Sequence, residues 1–111
     1  MSSIRQQKIE TAIRQELSMV MLTKSAEIAL GAMVSITVVR ITSDLSLARC
    51  YLSVFAHPNP KEVLESINAH AVSIRRDVGQ RLKNMRKIPE LRFFIDDSLD
   101  YADKINTLLA N

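Results

Sequence analysis

Glycine and cysteine are scarce in this sequence of 111 residues. Its two glycines, Gly31 and Gly79, cannot supply the glycine-rich loops that hold phosphates in nucleotide-binding proteins. Cys50 is the single cysteine, which excludes an internal disulfide and a cysteine-based zinc site within one chain. Because Cys50 falls in an alternating apolar pattern, we predict a buried strand residue rather than a reactive thiol. This cysteine usage predicts a reducing, cytoplasmic setting.

Catalytic side chains are equally sparse. The histidines are His57, beside a proline turn, and His70, between two helix patterns, and neither has a nucleophile or a set of metal ligands near it in the sequence. Four acids cluster at the start of a last helix pattern, where the helix dipole favours them, so capping explains them better than a cation site: Asp96, Asp97, Asp100 and Asp103. We predict no enzyme activity, cofactor, metal or small-molecule substrate. A small hydrolase that uses His57 or His70 is the least favoured alternative.

Long apolar runs are also missing. No run approaches the length that crosses a membrane, and residues 1–8 carry charge with no apolar stretch behind it. We therefore expect neither a membrane span nor a secretory signal. A composition of 47% hydrophobic and 24% charged residues is ordinary for a globular protein. Because this length fits one hydrophobic core, we predict a single domain over residues 1–111. We also expect the protein to act as a monomer.

Apolar spacing predicts the elements of the first half of the chain. Helical spacing indicates a first amphipathic helix, and the mixed residues 23–33 indicate a connecting loop. Alternation then predicts two strands in an antiparallel hairpin, with a bulge near Val38-Val39 in the first strand. The residues that carry these patterns are Ile9, Ile13, Leu17, Val20 and Met21 in the helix, Val34, Ile36, Val38 and Ile41 in the first strand, and Ala48, Cys50, Leu52 and Val54 in the second.

The second half of the chain combines helices with one further strand. Asn59-Pro60 is typical of a helix start, and a break near residues 70–73 leaves open whether two helices or one kinked helix follow. The helical pattern ends before Pro89, because the residue before a proline avoids the α conformation. Residues 91–95 are predicted as a third strand, and either Asp97 or Ser98 is predicted to cap a last helix. We predict an α+β fold whose three-stranded sheet packs against helices, in the order α-β-β-α-α-β with a C-terminal helix.

Basic residues concentrate between positions 74 and 94. This segment holds seven of the fifteen Lys and Arg residues and two acids, Asp77 and Glu90, in a protein of net charge +3. If the helix follows the apolar stripe from Ile74 to Met85 at about 100° per residue, five cations share one exposed arc: Arg75, Arg76, Lys83, Arg86 and Lys87. Arg81 falls on the apolar stripe, so its stem is expected to pack while its guanidinium stays at the rim.

An anionic partner explains this basic arc better than solvation alone. Solvated helix faces usually mix both signs and form ion pairs one turn apart, whereas this arc contains almost no acid. Binding to phosphates would release counterions and depend on salt. We therefore predict that the five cations bind RNA, with Arg5, Lys8 and Arg14 on the first helix as flanking contributors.

Aromatic residues are few. They are Tyr51, Phe55, Phe93, Phe94 and Tyr101, and most of them fall at strand positions that we expect to face the core. Stacking of bases on an exposed aromatic platform is therefore not expected. The sequence predicts recognition of RNA by shape and by phosphate contact instead.

Several short motifs follow one another along nearly the whole chain. They are Gln15-Glu16-Leu17, Val34-Ser35-Ile36-Thr37-Val38-Val39-Arg40-Ile41-Thr42-Ser43-Asp44-Leu45, Ala48-Arg49-Cys50-Tyr51-Leu52-Ser53, Ile74-Arg75-Arg76, Pro89-Glu90-Leu91-Arg92-Phe93 and Asp96-Asp97-Ser98. No single motif is specific, but the ordered combination is. On these residues the chain closely resembles the ribosome-binding factor A family.

The resemblance implies a type II KH-like fold and a non-enzymatic role in maturation of the small ribosomal subunit. Members of the family bind free 30S subunits, contact 16S rRNA and assist processing of its 5′ end, notably in cold adaptation. Between its two central helices the family usually has an Ala-x-Gly kink, where this chain has His70-Ala71-Val72. Residues 81–89 are one residue longer than the common form, and the chain ends at Asn111 without the charged tail of some members.

Two hypotheses from different classes follow. The favoured one is an assembly factor that docks its basic surface on the 16S rRNA of the 30S subunit. The alternative is a protein-interaction domain whose basic helix binds an acidic protein partner. Nuclease treatment distinguishes them, because an association that depends on RNA is lost while a contact between proteins persists.

Overall fold

The computed structural model describes residues 3–55, 57–83, 85 and 87–96. The elements are α1 (Ile4–Ile28), β1 (Met33–Ile41), β2 (Leu47–Phe55), α2 (Pro60–Ala69), α3 (Ala71–Arg81) and β3 (Glu90–Ile95). This order and the three-stranded sheet confirm the predicted α+β architecture. The predicted C-terminal helix and its cap lie outside the described residues. In the described part of the chain, no helix is both long enough and apolar enough to cross a bilayer.

The sheet combines an antiparallel pair with a parallel pair. Its order is β1-β2-β3, with β1 antiparallel and β3 parallel to the central β2. The predicted hairpin is therefore confirmed. Its bulge lies at Thr37, where the register shifts between Ile36 and Val38, just before the predicted Val38-Val39. Residues three positions apart in a regular strand point to opposite faces of the sheet. Because the bulge adds one residue to the strand, Ile36 and Val39 are nevertheless both buried on the same face.

One face of the sheet packs against the helices. The central strand contributes Ala48, Cys50 and Leu52, which have no exposed surface. They belong to one core with residues from all three helices, including Ile13 and Leu17 of α1, Val63 and Ile67 of α2, and Ile74 and Val78 of α3. Burial raises the pKa of the Cys50 thiol to about 12, because the thiolate would lose its hydration. The prediction of a buried strand cysteine is confirmed.

Helix α1 is longer than the sequence predicted. It continues to Ile28, so the predicted loop over residues 23–33 is wrong for residues 23–28. The helix kinks at Lys24, whose φ is −121°, and at this point Lys24 Nζ lies 2.6 Å from Asp77 Oδ2 on α3. Ile28 is again buried beyond the kink. Tertiary contacts, rather than an unbroken helical period, therefore hold the end of α1.

The break predicted near residues 70–73 separates two helices. His70 ends α2 and immediately precedes α3, and its Nδ1 lies 2.7 Å from Ser66 O. Helix α3 then ends at Arg81, so the prediction that it continues along the basic segment to Met85 is wrong.

The chain leaves α3 early because it must return to begin β3 beside β2. Ile88 packs so closely on α3 that a Cβ added at Gly79 would lie 3.3 Å from Ile88 Cγ1. Leu82 and Met85 still pack against the core, but they reach it from the loop. Their helical spacing indicated burial correctly and secondary structure incorrectly.

Helix side chains bond the backbone at both edges of the sheet. On β1, Ile41 N–H donates to the buried Glu10 Oε2 at 2.8 Å, and Ile41 O accepts from Gln6 Nε2 at 3.1 Å. On β3, Phe93 N–H donates to Asn68 Oδ1 at 3.1 Å, and Phe93 O accepts from Asn68 Nδ2 at 3.2 Å. Unpaired groups at an edge invite a further strand, so these contacts limit strand addition.

Candidate nucleic-acid interface

The sequence predicted that Arg75 is exposed, but in the structure its side chain bonds the backbone of the following loop. Its side chain is half-buried, and its Nε and Nη2 lie 2.9 and 2.6 Å from the carbonyl oxygen of Ile88. A charged donor that is bonded to a backbone carbonyl in this way fixes the chain around it. Arg75 therefore holds the loop that leads into β3.

The predicted arc of five cations does not exist as one helix face. Arg76 is exposed on α3, but Lys83 and Lys87 follow the end of the helix at Arg81 and are exposed in the loop. Arg86 lies outside the described residues. Contact between these residues and RNA stays a prediction, but Arg76 lies on α3 while Lys83 and Lys87 lie in the loop that follows it.

Two open grooves meet at Lys87. One groove of about 400 Å³ lies between α3 and the loop and is lined by Val72, Arg75, Arg76, Lys87 and Ile88. The other groove, of about 480 Å³, lies between α1, the turn between β1 and β2, and the same loop. It is lined by Arg5, Ile9, Asp44, Leu45, Ser46, Met85 and Lys87. Lys87 thus connects Arg76 to Arg5, and we call these three residues the basic surface.

The basic surface has no acidic neighbour at ion-pair distance among the described residues. Other cations are paired with acids: Lys24 with Asp77 at 2.6 Å, Arg81 with Glu16 at 3.8 Å, Arg92 with Glu90 at 3.8 Å and Arg40 with Glu10 at 4.0 Å. Arg81, expected at the rim of the apolar stripe, is thus held beside α1. The charge of Arg5, Arg76 and Lys87 remains available to an external anion.

Asp44 places one fixed negative charge at the border of the second groove. Thr42 Oγ1 and Ser46 Oγ donate to Asp44 Oδ1 at 2.7 and 2.8 Å, and Ser46 N–H donates at 3.2 Å. These hydrogen bonds lower the pKa of the Asp44 carboxyl to about 2, and the bond from Thr42 has the largest effect. Because the group is ionised at neutral pH, a bound phosphate is expected beside Arg5 and Lys87 rather than over Asp44.

The three predicted contributors on α1 do not share one side of the helix. Arg5 and Arg14 are nine positions apart, which places them about 180° apart around a helix. Arg14 accordingly lines a separate groove of about 370 Å³ beside β1, together with Glu10 and Arg40. Lys8 is exposed and lines none of these grooves. Only Arg5 joins the basic surface.

The expectation that most aromatics face the core is wrong for the described residues. Phe93 is buried, but Phe55 and Phe94 are 47% and 38% exposed, and Tyr51 is half-buried. The sequence contained the signal, because adjacent residues of a strand point to opposite faces. Phe93 and Phe94 cannot both face the core. Tyr51 likewise alternates with the buried Cys50.

Fold and surface together define a class. The α-β-β-α-α-β order, with helices on one face of a mixed three-stranded sheet, is that of a type II KH-like domain. Its basic surface has no acid at ion-pair distance in the described part of the chain. Residues 5–109 match the family model described as ribosome-binding factor A. The chain belongs to the ribosome-binding factor A family.

Individual relatives agree with this assignment. A ribosome-binding factor A of Flavobacterium johnsoniae is 40% identical over 112 residues, which cover 99% of this chain and 86% of the relative. The crystal structure of ribosome-binding factor A from Thermus thermophilus matches with a TM-score of 0.68 at 17% identity, covering 81% of this chain and 94% of that one. A Thermus thermophilus homology model, fitted into a cryo-electron microscopy map of a 30S complex, matches with a TM-score of 0.60 at 15% identity, covering 87% and 97%. At such identities the two structural matches show the fold.

The joint between α2 and α3 forms without the glycine that the resemblance implies. His70 lies at φ −100° and ψ 12°, a conformation that does not require glycine. Val72, the third residue of His70-Ala71-Val72, is 73% exposed and lines the groove of Arg76. The joint therefore presents an apolar side chain next to the basic surface.

Proposed function

We propose that this protein binds free 30S ribosomal subunits through 16S rRNA and assists their maturation, including processing of the 16S rRNA 5′ end, without catalysing a reaction. Membership of the family supports the ribosomal role. The fitted Thermus thermophilus relative supports the 30S subunit as the partner. In this proposal residues 1–111 act as one domain, as a monomer in the cytoplasm.

The basic surface is the observation that carries the RNA contact. Arg5, Arg76 and Lys87 come from three separate elements, line connected grooves and have no acid at ion-pair distance among the described residues. Phosphates are the partners that such a surface favours, because each contact releases counterions from the RNA. Lys83, which is exposed in the same loop, and Lys8 on α1 add to the same attraction, as does Arg86, which precedes Lys87 in the sequence. Arg14 has a peripheral role, since it lines another groove.

Arg75 acts differently from its neighbours in this proposal. Both of the described hydrogen bonds of its guanidinium go to Ile88 O, one residue after Lys87. It therefore positions the loop that carries Lys87 and does not serve as a phosphate ligand. Its contribution to RNA binding is indirect.

A matched pair of charge reversals tests the proposal. Lys87→Glu alters the basic surface, whereas Lys61→Glu makes the same change in charge at an exposed position of the first turn of α2, where a helix tolerates an acid. Cosedimentation with purified 30S subunits is expected to weaken about tenfold or more for Lys87→Glu and to change little for Lys61→Glu. Equal retention by a folded Lys87→Glu protein would contradict the proposed surface.

Nuclease treatment separates an RNA contact from a contact with an acidic protein. Binding to protein-depleted 16S rRNA, abolished by nuclease digestion, is the result expected here. Binding that persists with ribosomal proteins alone would favour the alternative of a protein-interaction domain.

A further inference from the structure

The sheet has a second face, opposite the helices, whose side chains form two distinct rows. We call it the open face. One row runs across all three strands as Arg40, Arg49 and Arg92, because Arg40 pairs with Arg49 and Arg49 pairs with Arg92 in the register. The other row has Tyr51 paired with Phe94. Neither row takes part in the basic surface.

The arginine row is an unfavourable arrangement for an isolated protein. Like charges directly opposite each other on neighbouring strands repel, since their Cβ atoms are only about 5 Å apart. Arg92 lies 3.8 Å from Glu90, but both side chains are mostly exposed, so this pair contributes little. Arg40 lies 4.0 Å from the buried Glu10, whose carboxylate also accepts from Ile41 N–H. Arg49 has no acid at ion-pair distance among the described residues. A bound polyanion would relieve the repulsion in the row.

The aromatic row lies next to the arginine row on the same strands. The rings of Tyr51 and Phe94 have centroids 5.5 Å apart and are inclined by 30°. Tyr51 follows Arg49 by two positions, and Phe94 follows Arg92 by two, so the rows are about 7 Å apart. A chain that crosses the face can therefore put phosphates on one row and flat rings on the other.

The pattern favours unpaired bases over a duplex or a peptide strand. In duplex RNA the bases are stacked inside the helix, whereas single-stranded RNA splays them onto aromatic side chains. A peptide would most simply add to an edge of the sheet. At one residue of each edge, moreover, the backbone already bonds helix side chains: Ile41 bonds Gln6 and Glu10, and Phe93 bonds Asn68. The cationic and aromatic rows lie on the face and not at an edge, so they favour a partner that crosses the face.

We propose that the open face binds single-stranded RNA, with bases stacked on Tyr51 and Phe94 and phosphates held by Arg49, Arg92 and Arg40. This second surface extends the proposed function and rests on it for the choice of RNA. The basic surface would hold the RNA backbone by charge alone. The open face adds a preference for unpaired nucleotides, such as those near an immature RNA end.

Binding of fluorescently labelled oligouridine of eight nucleotides tests the stacking. Tyr51→Leu/Phe94→Leu keeps apolar cover but removes both aromatic rings, and is expected to weaken binding about tenfold or more. Phe55→Leu is the matched control, because Phe55 is an exposed aromatic that pairs with Met33 at the far end of the hairpin. If the double variant binds oligouridine as the unaltered protein does, the inference is overturned.

Tyrosine emission supplies a readout that does not require removal of the platform. The chain has two tyrosines and no tryptophan, so a Tyr101→Phe protein reports on Tyr51 alone. Oligouridine is expected to quench this emission, while a blunt RNA duplex of equal length is not. Emission that oligouridine leaves unchanged would overturn the stacking.

The phosphate contact is tested by Arg49→Gln, a change at an exposed position. This variant is expected to bind oligouridine more weakly. If it binds oligouridine as tightly as the unaltered protein does, the phosphate contact is refuted.

The experiments can refute the open face and the basic surface independently of each other. If oligouridine binds independently of Tyr51 and Phe94 while Lys87→Glu still weakens 30S binding, only the open face is refuted. If Lys87→Glu retains 30S binding, the basic surface is refuted whatever oligouridine does. A dimer that light scattering detects in the unaltered protein and not in the double leucine variant would show that the face joins two copies, which also overturns the inference.

Discussion

The carboxamide of Asn68 on α2 pairs with the backbone of Phe93 on β3 as a neighbouring strand would. Asn68 Oδ1 accepts from Phe93 N–H at 3.1 Å, and Asn68 Nδ2 donates to Phe93 O at 3.2 Å. Phe93 is itself only 2% exposed, so the same residue anchors its ring in the core and its backbone on the helix. Because no shift of β3 by one residue preserves both contacts, this pair fixes the register of the last strand.

Loss of the Asn68 carboxamide is expected to destabilise the fold. Asn68→Ala leaves a part-buried N–H and carbonyl of Phe93 without their partners, which costs about 1–3 kcal/mol in the free energy of unfolding. Urea unfolding followed by circular dichroism measures the change. Glu65→Ala, at an exposed position of the same helix, serves as the control and is expected to change stability by no more than about 0.5 kcal/mol. Equal stability of the two variants would show that water replaces the carboxamide.

Arg75→Lys separates positioning from charge. Lysine keeps the positive charge but loses the planar pair of donors that holds Ile88 O. We expect a loss of about 1–2 kcal/mol in unfolding free energy, together with weaker binding to 30S subunits, because the loop that carries Lys87 loosens. Arg76→Lys, at an exposed site that needs only charge, is expected to change neither. Normal stability and binding of Arg75→Lys would mean that its cation contacts phosphate directly.

The buried thiol of Cys50 makes stability fall at high pH. Burial raises its pKa from an ordinary 9.0 to about 12, so between these values the unfolded chain loses a proton that the folded chain keeps. The free energy of unfolding therefore decreases as pH rises, by up to about 1.4 kcal/mol per pH unit from this group. Below pH 9 the contribution is fully present. Urea unfolding of Cys50→Ala at pH 8 and pH 10.5 is expected to show a smaller pH dependence than the unaltered protein; an identical dependence would contradict this assignment.

Removal of one phosphate ligand is expected to reduce the salt dependence of RNA binding. The slope of log K against log salt for binding to 16S rRNA changes by about 0.7–0.9 for each phosphate that the protein no longer neutralises. Lys87→Gln is therefore expected to lower its magnitude by about one unit, whereas Lys61→Gln leaves it unchanged. Titrations at several salt concentrations measure both. A weaker affinity with an unaltered slope would assign Lys87 a role other than contact with phosphate.

Local patterns predicted most of the fold because each pattern has a local physical cause. Alternation predicted the hairpin, and the Asn59-Pro60 pair predicted the start of α2, where Asn59 Oδ1 accepts from Glu62 N–H at 3.4 Å. The end of α3 could not be predicted from local patterns. Leu82 and Met85 fit a helical period, yet the path of the chain is determined by the packing of Ile88 on Gly79 and by Arg75, contacts between residues nine and thirteen positions apart.

The candidate site was predictable in its chemistry and not in its arrangement. Clustered cations indicated an anionic partner, and Lys87 and Arg76 remain in the proposed surface. That Arg5 joins them and Arg14 does not depends on which side of α1 meets the loop, and only the packing of α1 determines this. The open face was not predictable because the three arginines stand on three strands, and they become neighbours only once the register is known.

The parallel pairing of β3 with β2 leads us to expect that the basic surface is completed late in folding. The β1–β2 hairpin is local in sequence and can close early, whereas β3 pairs with β2 only after α2 and α3 have crossed the sheet. Lys87 lies in the segment that this last pairing orders, three residues before Glu90. Under the proposed function, we therefore expect a chain in which β3 has not yet docked to lack the complete basic surface and to bind 30S subunits weakly.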